Sequence, residues 1–361
     1  MKVTVYGGGN IGTQLATHFA ETGNEVIMFT SKPQKFRKHL TVVDHEGNIL
    51  HEGNLSLATN DAEKAFKSTE LILVTVPSFA MEKAAKTIFP FVKSGVMIGI
   101  IPGNGGGEAA FKLAIEKGAI IFGLQRVPSV ARLVEYGQSV CATGYRKTLY
   151  VAALPKKFTQ QCCKIIADGL QMECEQLPDY LNLTITPSNP ILHTTRLKTV
   201  FKDYVPRKTF YKSVPLFYEE WSDETTELLF KCDAEVQNLC RVLKDFDLSE
   251  VKSLKEHYEN DMVQGFTNKI RSIEGFKGLP TPTVRVEQGL IPDLDSRYFT
   301  ADFNFGLFVI MQVANLAGYD MPNCQSLLNW YKPLQKKQYG EFNYKHYGID
   351  SKESFESFYK Q

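Results

Sequence analysis

Residues 3–12 read VTVYGGGNIG, a short β-branched and aromatic run followed at once by a glycine cluster. The run Val3–Tyr6 predicts a buried strand, and the apolar residues that recur at helical spacing after Ile11 predict a helix. Gly23-Asn24 ends that helix, and residues 25–30 (EVIMFT) are the next predicted strand. Together they form a βαβ unit of about 30 residues, the usual size of this motif.

The glycines of this unit have the spacing Gly7-x-Gly9-x-x-Gly12 between strand and helix. In dinucleotide-binding folds the first glycine permits a tight turn, the second lets backbone approach a pyrophosphate, and the third lets helix pack on strand. The helix N-terminus then faces the anion. We therefore predict a dinucleotide site that includes Asn10 and Ile11. A glycine-rich turn without a ligand and an S-adenosylmethionine fold are the alternatives.

The end of the second predicted strand bears on the choice of cofactor. A carboxylate there would accept hydrogen bonds from the ribose of NAD. This chain has Thr30, Ser31 and Lys32 instead, and Arg37 follows. Hydroxyls and cations favour an anionic 2′-phosphate, so the sequence predicts NADP, with NAD as the second choice. The other interpretation of residues 32–38 is a solvated charged loop.

Strands and helices keep alternating, which predicts a doubly wound α/β domain with a parallel sheet, the Rossmann fold. Two loops follow strands at their carboxyl ends, where such sheets bind ligands. One contains Val76 and Pro77, and the other is PGNGGG at 102–107, with Gly103 and Asn104. We expect them to hold the nicotinamide end, although a flexible connection would also explain the second loop. The other predicted elements are a hairpin (41–43 and 49–50), strands at 71–76, 96–101, 119–124 and 148–153, and helices at 80–91, 108–117 and 156–170.

The second half of the chain has a different character, because long helical patterns predominate after Pro187. The predicted helices there cover 221–244, 248–260 and 303–317. We predict a Rossmann domain over 1–182, a mainly helical substrate domain over 183–345 and a polar C-terminal tail over 346–361.

Composition excludes several classes of protein. The 41 Lys and Arg balance 40 Asp and Glu, and a formal charge of +1 gives no support for a binder of nucleic acid or membrane surfaces. No apolar run approaches the roughly 20 residues of a membrane span, and no signal peptide is recognised. Seven cysteines without a paired CxxC motif indicate reduced thiols, so we expect a cytoplasmic protein without a metal site. A monomer and a homodimer both fit the sequence.

One of the seven histidines is the candidate proton donor for hydride chemistry. His193 follows Asn189 and Pro190, which are typical of an N-cap and a first helical residue. This places His193 in the opening turn of a helix. The other six histidines lie in predicted amphipathic helices, charged loops or the tail, where a solvated imidazole is the default. A buried, hydrogen-bonded His193 without a catalytic role is the alternative.

A second candidate segment, residues 295–307, precedes the last predicted helix. Arg297 would grip a substrate carboxylate through a bidentate pair. Asp302 would orient His193, as a carboxylate orients the imidazole of a catalytic triad. Spacing alone favours a simpler interpretation, with Asp302 as a helix-start acid and Arg297 as a surface residue.

Motifs in order along roughly residues 1–335 resemble those of the octopine/nopaline (opine) dehydrogenase family. They are GGGNIG (7–12), TVPSFA (75–80), PGNGGG (102–107), QRVPSVAR (125–132), KTLYVAALP (147–155), SNPILHT (188–194), FYEEWSDET (217–225) and RYFTADFNFGL (297–307). The histidine-containing and RYFTAD segments are the most specific.

The resemblance implies a Rossmann domain joined to a helical opine-dehydrogenase domain. It also implies the reductive condensation of an amino acid with a 2-keto acid such as pyruvate, with NADH or NADPH. It gives His193 an acid/base role, makes Asp302 its partner and gives Arg297 a carboxylate-binding role. It places Asn189 near the substrate.

Two positions depart from the family pattern. Ala301 stands where the family usually has Glu, and no acidic residue is present near Gln125. Both concern the amino-donor pocket, so a catalytically degenerate NADP-binding regulatory protein remains an alternative. Another is a 2-keto-acid reductase similar to ketopantoate reductase, since that enzyme also joins a Rossmann domain to a helical domain.

Overall fold

The computed structural model describes residues 1–336 and 340–361, and the chain divides into two units. Unit 1 comprises Met1–Thr184, Tyr347–Ile349 and Glu353–Gln361, and unit 2 comprises Ile185–His346 and Asp350–Lys352. The chain therefore leaves unit 1 after Thr184 and returns to it near its C-terminus.

Unit 1 contains the described strands between Lys2 and Gln176 together with a similar amount of helix, and unit 2 is mainly helical. The described strands are β1 (Lys2–Tyr6), β2 (Glu25–Phe29), β3 (His39–Val43), β4 (Ile49–Asn54), β5 (Leu57–Thr59), β6 (Leu71–Val74), β7 (Met97–Ile100), β8 (Ile120–Leu124), β9 (Val130–Glu135), β10 (Ser139–Thr143), β11 (Thr148–Leu154), β12 (Glu173–Gln176), β13 (Thr283–Val286) and β14 (Gly289–Pro292). The described α-helices are α1 (Asn10–Glu21), α2 (Ala62–Phe66), α3 (Met81–Ile88), α4 (Gly107–Ala110), α5 (Lys112–Glu116), α6 (Thr159–Leu170), α7 (Leu181–Thr184), α8 (Ser188–Val200), α9 (Asp223–Val242), α10 (Leu254–His257), α11 (Val263–Ser272), α12 (Arg297–Thr300), α13 (Phe308–Leu316), α14 (Pro322–Tyr331) and α15 (Lys352–Tyr359).

The main sheet of unit 1 has eight strands in the order β12-β11-β8-β7-β6-β1-β2-β5. Every neighbouring pair is parallel except β8 with β11. Strands β6, β7 and β8 are buried throughout, as expected where helices cover both faces. The predicted doubly wound fold followed by a helical region is confirmed. The strand order reverses between β1 and β6, and such sheets bind ligands at the carboxyl ends of strands beside that point.

A second sheet of unit 1 has the order β4-β3-β10-β9. The antiparallel pair β3–β4 is the predicted hairpin, extended at both ends. Strands β9 and β10 were not predicted. Much of β9 is exposed, so its sequence lacks the apolar run by which the buried strands were recognised.

Several predicted helices differ from the observed ones for local reasons. The predicted helix 248–260 is wrong except for α10, because Ser253 and Glu256 form a capping box that starts the helix at Leu254. The predicted helix 108–117 is divided into α4 and α5 at Phe111. The predicted helix 303–317 begins as a π-helical segment, Asp302–Leu307, that leads into α13.

The π-helical segment packs closely on α8 in unit 2. A Cβ on Gly306 would lie 2.8 Å from the Cγ of Pro190 in α8, so glycine permits the approach. Asp302 at the start of this segment is thereby brought beside His193 in α8.

The segment predicted as a polar tail, 346–361, contains α15 with three buried aromatic side chains, Phe355, Phe358 and Tyr359. The hydroxyl of Tyr359 donates a hydrogen bond to the buried Glu108 at 2.6 Å. This part of the chain is thus packed into unit 1, which corrects its description as a tail.

One described stretch, Arg297–Leu316, is long and apolar enough to cross a membrane by length and composition. The finding corrects the expectation that no apolar run approaches that length. It is weak evidence for a membrane span, since 61% of the most apolar window is buried in the structure and core helices of soluble proteins pass the same test.

Candidate active site

The turn after β1 has the backbone geometry that the glycine spacing predicts. Gly7 has a φ of +120°, a conformation that side chains other than glycine rarely adopt. A Cβ on Gly12 would lie 1.7 Å from the carbonyl oxygen of Gly7, so α1 packs on the turn only with glycine there. A Cβ on Gly9 would meet no atom within 4 Å. The turn is therefore open to a ligand at Gly9.

The N-terminus of α1 has the features of an anion site. No side chain caps it, and its first turn contains no acidic residue. Its free N–H groups and the helix dipole therefore favour a pyrophosphate. The Asn10 side chain is engaged elsewhere, since its Oδ1 accepts a hydrogen bond from the N–H of Leu133 at 2.8 Å. Ile11 packs against the hydrophobic core. The side chains of Asn10 and Ile11 therefore hold the turn in position.

The segment after β2 contains two exposed cations, Lys32 and Arg37, and one buried hydroxyl, that of Thr30. Thr30 is buried, and its Oγ1 lies 3.2 Å from the hydroxyl of Tyr136. Ser31 and Lys32 are exposed, and Lys32 forms no ion pair within the described residues. Arg37 is also exposed, with its Nη2 3.8 Å from Glu135. Of Lys32 and Arg37, Lys32 is thus the cation that has no ion-pair partner among the described residues.

An aromatic pair that the sequence did not predict lies beside the glycine turn. A Cβ on Gly8 would come within 2.5 Å of the Phe36 ring, so that ring lies directly against the turn. Tyr136 packs edge-on against Phe36, with 5.4 Å between ring centroids. Tyr136 is 100 residues away in the sequence, between β9 and β10, and no local pattern indicated the contact.

The loop after β6 is tied to the glycine turn. The Thr75 hydroxyl lies within hydrogen-bonding distance of the carbonyl oxygens of Tyr6, at 3.2 Å, and Gly7, at 3.0 Å. Val76 is half-buried, and its Cγ1 would lie 3.3 Å from a Cβ on Gly7, whereas Pro77 is exposed. The structure therefore brings Val76 to the turn.

The second predicted loop begins as a continuation of the sheet. The N–H of Gly103 donates to the carbonyl of Leu124 at 2.7 Å, which extends the pairing of β7 with β8. Gly103 is buried and Asn104 is half-buried. Between Gly103 and Gly107, Asn104 is thus the residue that keeps part of its surface available to a ligand.

The two residues predicted as an acid/base pair are in direct contact in unit 2. The Nδ1 of His193 lies 2.7 Å from the Oδ2 of Asp302, and the side chains are only 9% and 17% exposed. Because a carboxylate only accepts hydrogen bonds, Nδ1 carries the proton of the neutral imidazole. Its Nε2 is then the acceptor nitrogen.

The start of α8 differs from the prediction. The helix begins at Ser188 after Pro187, without a side-chain cap. Asn189 is its second residue rather than its N-cap, and His193 is in the second turn rather than the first. Asn189 is exposed and precedes His193 by four residues, so the two share a face of α8.

A third side chain, which the sequence analysis missed, contacts the His193–Asp302 pair. The hydroxyl of Tyr218 lies 2.7 Å from the Nε2 of His193, and it is the donor when Nε2 is the acceptor. Burial raises the pKa of Tyr218 well above its usual value, so the phenol keeps its proton. Tyr218 lies within the FYEEWSDET motif, and that motif was the signal available in the sequence.

A buried arginine holds the backbone around Tyr218. The guanidinium of Arg196 donates to the carbonyl oxygens of Leu216 at 2.9 Å, Phe217 at 2.8 Å and Glu220 at 2.8 Å. Burial lowers the pKa of Arg196 to about 10, so the group remains charged near neutral pH. Charge-assisted bonds to three carbonyls fix the position of the phenol relative to His193.

Aromatic rings surround the imidazole. The ring centroids of Tyr298 and Phe217 lie 4.5 Å and 5.5 Å from that of His193. Phe276 stacks on Tyr218, with 4.1 Å between centroids. These rings limit the access of water, which strengthens the hydrogen bonds among the polar groups.

Arg297 is the first residue of α12, five residues before Asp302. It is exposed, and its guanidinium forms no hydrogen bond or ion pair with any part of the chain that the structure describes. Its guanidinium is thus available to a carboxylate. Among the described residues the side-chain hydrogen bonds of His193 are to Asp302 and Tyr218, and they do not include the side chains of Arg297 or Asn189.

A Rossmann turn that fits a dinucleotide and a carboxylate-oriented imidazole in a helical unit define the class of an NAD(P)-dependent dehydrogenase. Residues 2–105 match the N-terminus of NAD-dependent glycerol-3-phosphate dehydrogenase, and residues 176–334 match the alpha-helical domain of NAD/NADP octopine/nopaline dehydrogenase. The helical part of the chain thus resembles the octopine/nopaline dehydrogenase family, as the motifs predicted, and the chain binds NAD(P)H.

Relatives match along nearly the whole chain. Octopine dehydrogenase of Pecten maximus is 25% identical over 368 residues, which cover 94% of this chain and 91% of that protein. Tauropine dehydrogenase of Arabella iricolor is 23% identical over 372 residues, covering 93% and 92%. A solved structure of octopine dehydrogenase with NADH and L-arginine has a TM-score of 0.86 at 22% identity, covering 98% of this chain and 97% of that one. The last comparison shows a shared fold.

Proposed function

We propose that this chain catalyses the reductive condensation of an amino acid with a pyruvate-like 2-keto acid. The amino nitrogen bonds to the keto carbon, water leaves, and the resulting C=N bond takes up a hydride and a proton to give a secondary amine dicarboxylate. The observation that carries the proposal is the hydrogen-bonded series Asp302–His193–Tyr218, which lies in the region that matches the octopine/nopaline dehydrogenase helical domain. When bound, NAD(P)H supplies the hydride.

His193 is proposed to move the proton. With Nδ1–H held by Asp302, Nε2 is the atom that accepts or returns a proton during condensation. Asp302 stabilises the imidazolium that forms, without itself taking the proton. The phenol of Tyr218, 2.7 Å from Nε2, donates to the neutral imidazole and must turn away or pass a proton on when the imidazole acts.

Arg297 is proposed to bind the carboxylate of the keto acid. Its guanidinium is exposed and has no partner within residues 1–336 and 340–361, which supports this role, since a bidentate pair fixes both position and orientation. Asn189, exposed on the face of α8 that bears His193, is proposed to contact the substrate.

We infer that NADPH is the preferred reductant, because residues 30–32 contain no carboxylate and Lys32 is exposed, with no ion-pair partner in the described part of the chain. The test compares kcat/KM for NADPH and NADH in the wild type and in Lys32→Glu. The substitution should lower the NADPH value and spare the NADH value. Lys164→Glu, the same charge change at an exposed position of α6, is the control. Equal use of both coenzymes by the wild type would overturn the inference.

The function is tested by following NADPH consumption over pairs of keto acids and amino acids, with NADH in parallel. Turnover that requires both substrates, with a product whose mass is their sum minus water plus two hydrogens, supports the proposal. Reduction of a keto acid without an amine would favour the ketopantoate-reductase-like activity. Tight NADPH binding without turnover across the panel would favour the regulatory alternative.

A further inference from the structure

A cluster of metal-ligand side chains lies in unit 1, at the opposite end of α1 from the glycine turn. His18 and Glu21 are three residues apart in the last turns of this helix, so they share a face. His51 reaches them from β4, which packs on α1. One potential ligand atom from each of the three residues lies within 4.8 Å of the other two.

The contacts inside the cluster are close. The Nδ1 of His51 lies 2.7 Å from the Oε2 of Glu21, and the two imidazole centroids are 4.0 Å apart. The Nε2 of His18 lies 3.2 Å from the hydroxyl of Tyr145. An ion pair between His51 and Glu21 would explain their own contact, but it does not explain why a second, buried imidazole packs against the first.

Burial differs among the three ligands. His18 is only 2% exposed, so the fold holds its imidazole in place. The side chains of His51 and Glu21 are 30% and 37% exposed, so an ion has a path from solvent.

We propose that His18, Glu21 and His51 bind one divalent transition-metal ion, and that Zn²⁺ fits the site best. Two imidazoles and one carboxylate match the ligand preferences of Zn²⁺, whereas Mg²⁺ and Ca²⁺ require mainly oxygen ligands. Metal–ligand bonds of about 2.1 Å in a tetrahedron place ligand atoms about 3.4 Å apart. Small side-chain rotations reach that spacing from the observed one, and water takes the fourth position.

The ion would join the end of α1 to β4 and so stabilise unit 1. None of the three ligands has a part in the proposed oxidoreductase chemistry. The inference therefore stands or falls independently of the proposed function.

The test uses the full chain, treated with EDTA and then titrated with ZnCl₂ by calorimetry, with Tm measured in parallel. We expect one Zn²⁺ per chain and a higher Tm with zinc. His51→Ala and Glu21→Gln should each weaken binding by at least about 10-fold and reduce the rise in Tm. His39→Ala, which removes an exposed imidazole from the neighbouring strand β3, is the matched control and should bind zinc normally.

Co²⁺ provides a second measurement, because a four-coordinate site with nitrogen ligands gives visible absorption bands that His51→Ala should lose. MgCl₂ should give no saturable binding. The proposal is overturned if the wild type shows no saturable zinc binding, or if His51→Ala and His39→Ala bind zinc equally well. The test relies on the two partly exposed ligands, since replacement of the buried His18 would also disturb packing.

Discussion

The glycine turn of unit 1 (residues 7–12) and the histidine centre of unit 2 (His193 with Asp302 and Tyr218) are built in different ways. The turn is made by six consecutive residues, 7–12, and its fit to a dinucleotide depends on backbone and on the absence of side chains. The histidine centre is made by side chains up to 109 residues apart in sequence, held by Arg196 and a set of aromatic rings. Residue spacing predicts the first kind of site. The second kind depends on tertiary packing.

The largest effect on turnover is expected at the histidine centre. His193→Ala should lower kcat by about 10³-fold, because no other group is positioned to transfer the proton. The affinity for NADPH should stay within about twofold of the wild type. Steady-state kinetics and NADPH fluorescence titration measure the two quantities. His193→Asn should behave alike while keeping a polar group near Asp302, and His45→Ala, an exposed position of unit 1, should have no effect. Full turnover by either His193 variant would remove this residue from the mechanism.

The glycine turn should respond differently at two of its positions. Gly12→Ala places a Cβ 1.7 Å from the carbonyl of Gly7, so it should lower the free energy of unfolding by about 3 kcal/mol or more. Gly9→Ala meets no atom, so it should cost at most about 1 kcal/mol of stability yet weaken NADPH binding by roughly 10-fold. Urea unfolding and coenzyme titration separate the effects. Equal stability loss in both variants would contradict the open side inferred at Gly9.

A smaller effect is expected at Tyr218. Tyr218→Phe removes one neutral hydrogen bond to His193, worth about 1 kcal/mol, so kcat should fall by roughly 5- to 10-fold with little change in coenzyme affinity. Rapid-reaction kinetics with saturating coenzyme measure the change. A loss as large as that of His193→Ala would instead make Tyr218 the essential proton donor, and unchanged kcat would assign it a packing role.

The smallest effect on turnover is expected at Asp233, a buried carboxylate of unit 2. Burial raises the pKa of Asp233 to about 7, although the N–H of Leu254 donates to it at 3.0 Å. The unfolded carboxyl titrates near pH 4, so between about pH 4 and 7 the folded state binds more protons and stability falls as pH rises. Asp233→Asn should remove this slope, gaining about 1 kcal/mol or more over the wild type at pH 8, with kcat unchanged. Parallel stability–pH curves for the two proteins would contradict the assignment.

Much of the fold could be predicted because its signals are local. The strand, glycine turn and helix of the βαβ unit are contiguous, and the buried strands of the main sheet are continuous apolar runs. Strand β9 escaped prediction because exposed residues interrupt the pattern, and β10 because its mostly buried sequence, SVCAT, is short and begins and ends with a polar residue. The late start of α10 depended on a capping box, whose side-chain bonds override apolar spacing.

The candidate site was predictable only in part. Spacing alone favoured surface or helix-start roles for Arg297 and Asp302, and the family resemblance strengthened the competing hypothesis that Asp302 orients His193. Tyr218 and Phe36 could not be found by spacing, because each acts through a contact with a residue distant in sequence. Such contacts depend on how helices and loops pack, which no local pattern encodes.

The contact between Tyr218 and His193 has a consequence for the enzyme at rest. Both nitrogens of the imidazole are engaged, one by a carboxylate and the other by a phenol. A base in this state has no lone pair to offer to water or to an unsuitable compound. The imidazole can act as a base only when a ligand displaces the phenol or exchanges a proton through it. The hydrogen bond from Tyr218 that positions His193 thus also prevents its imidazole from acting as a base between turnovers.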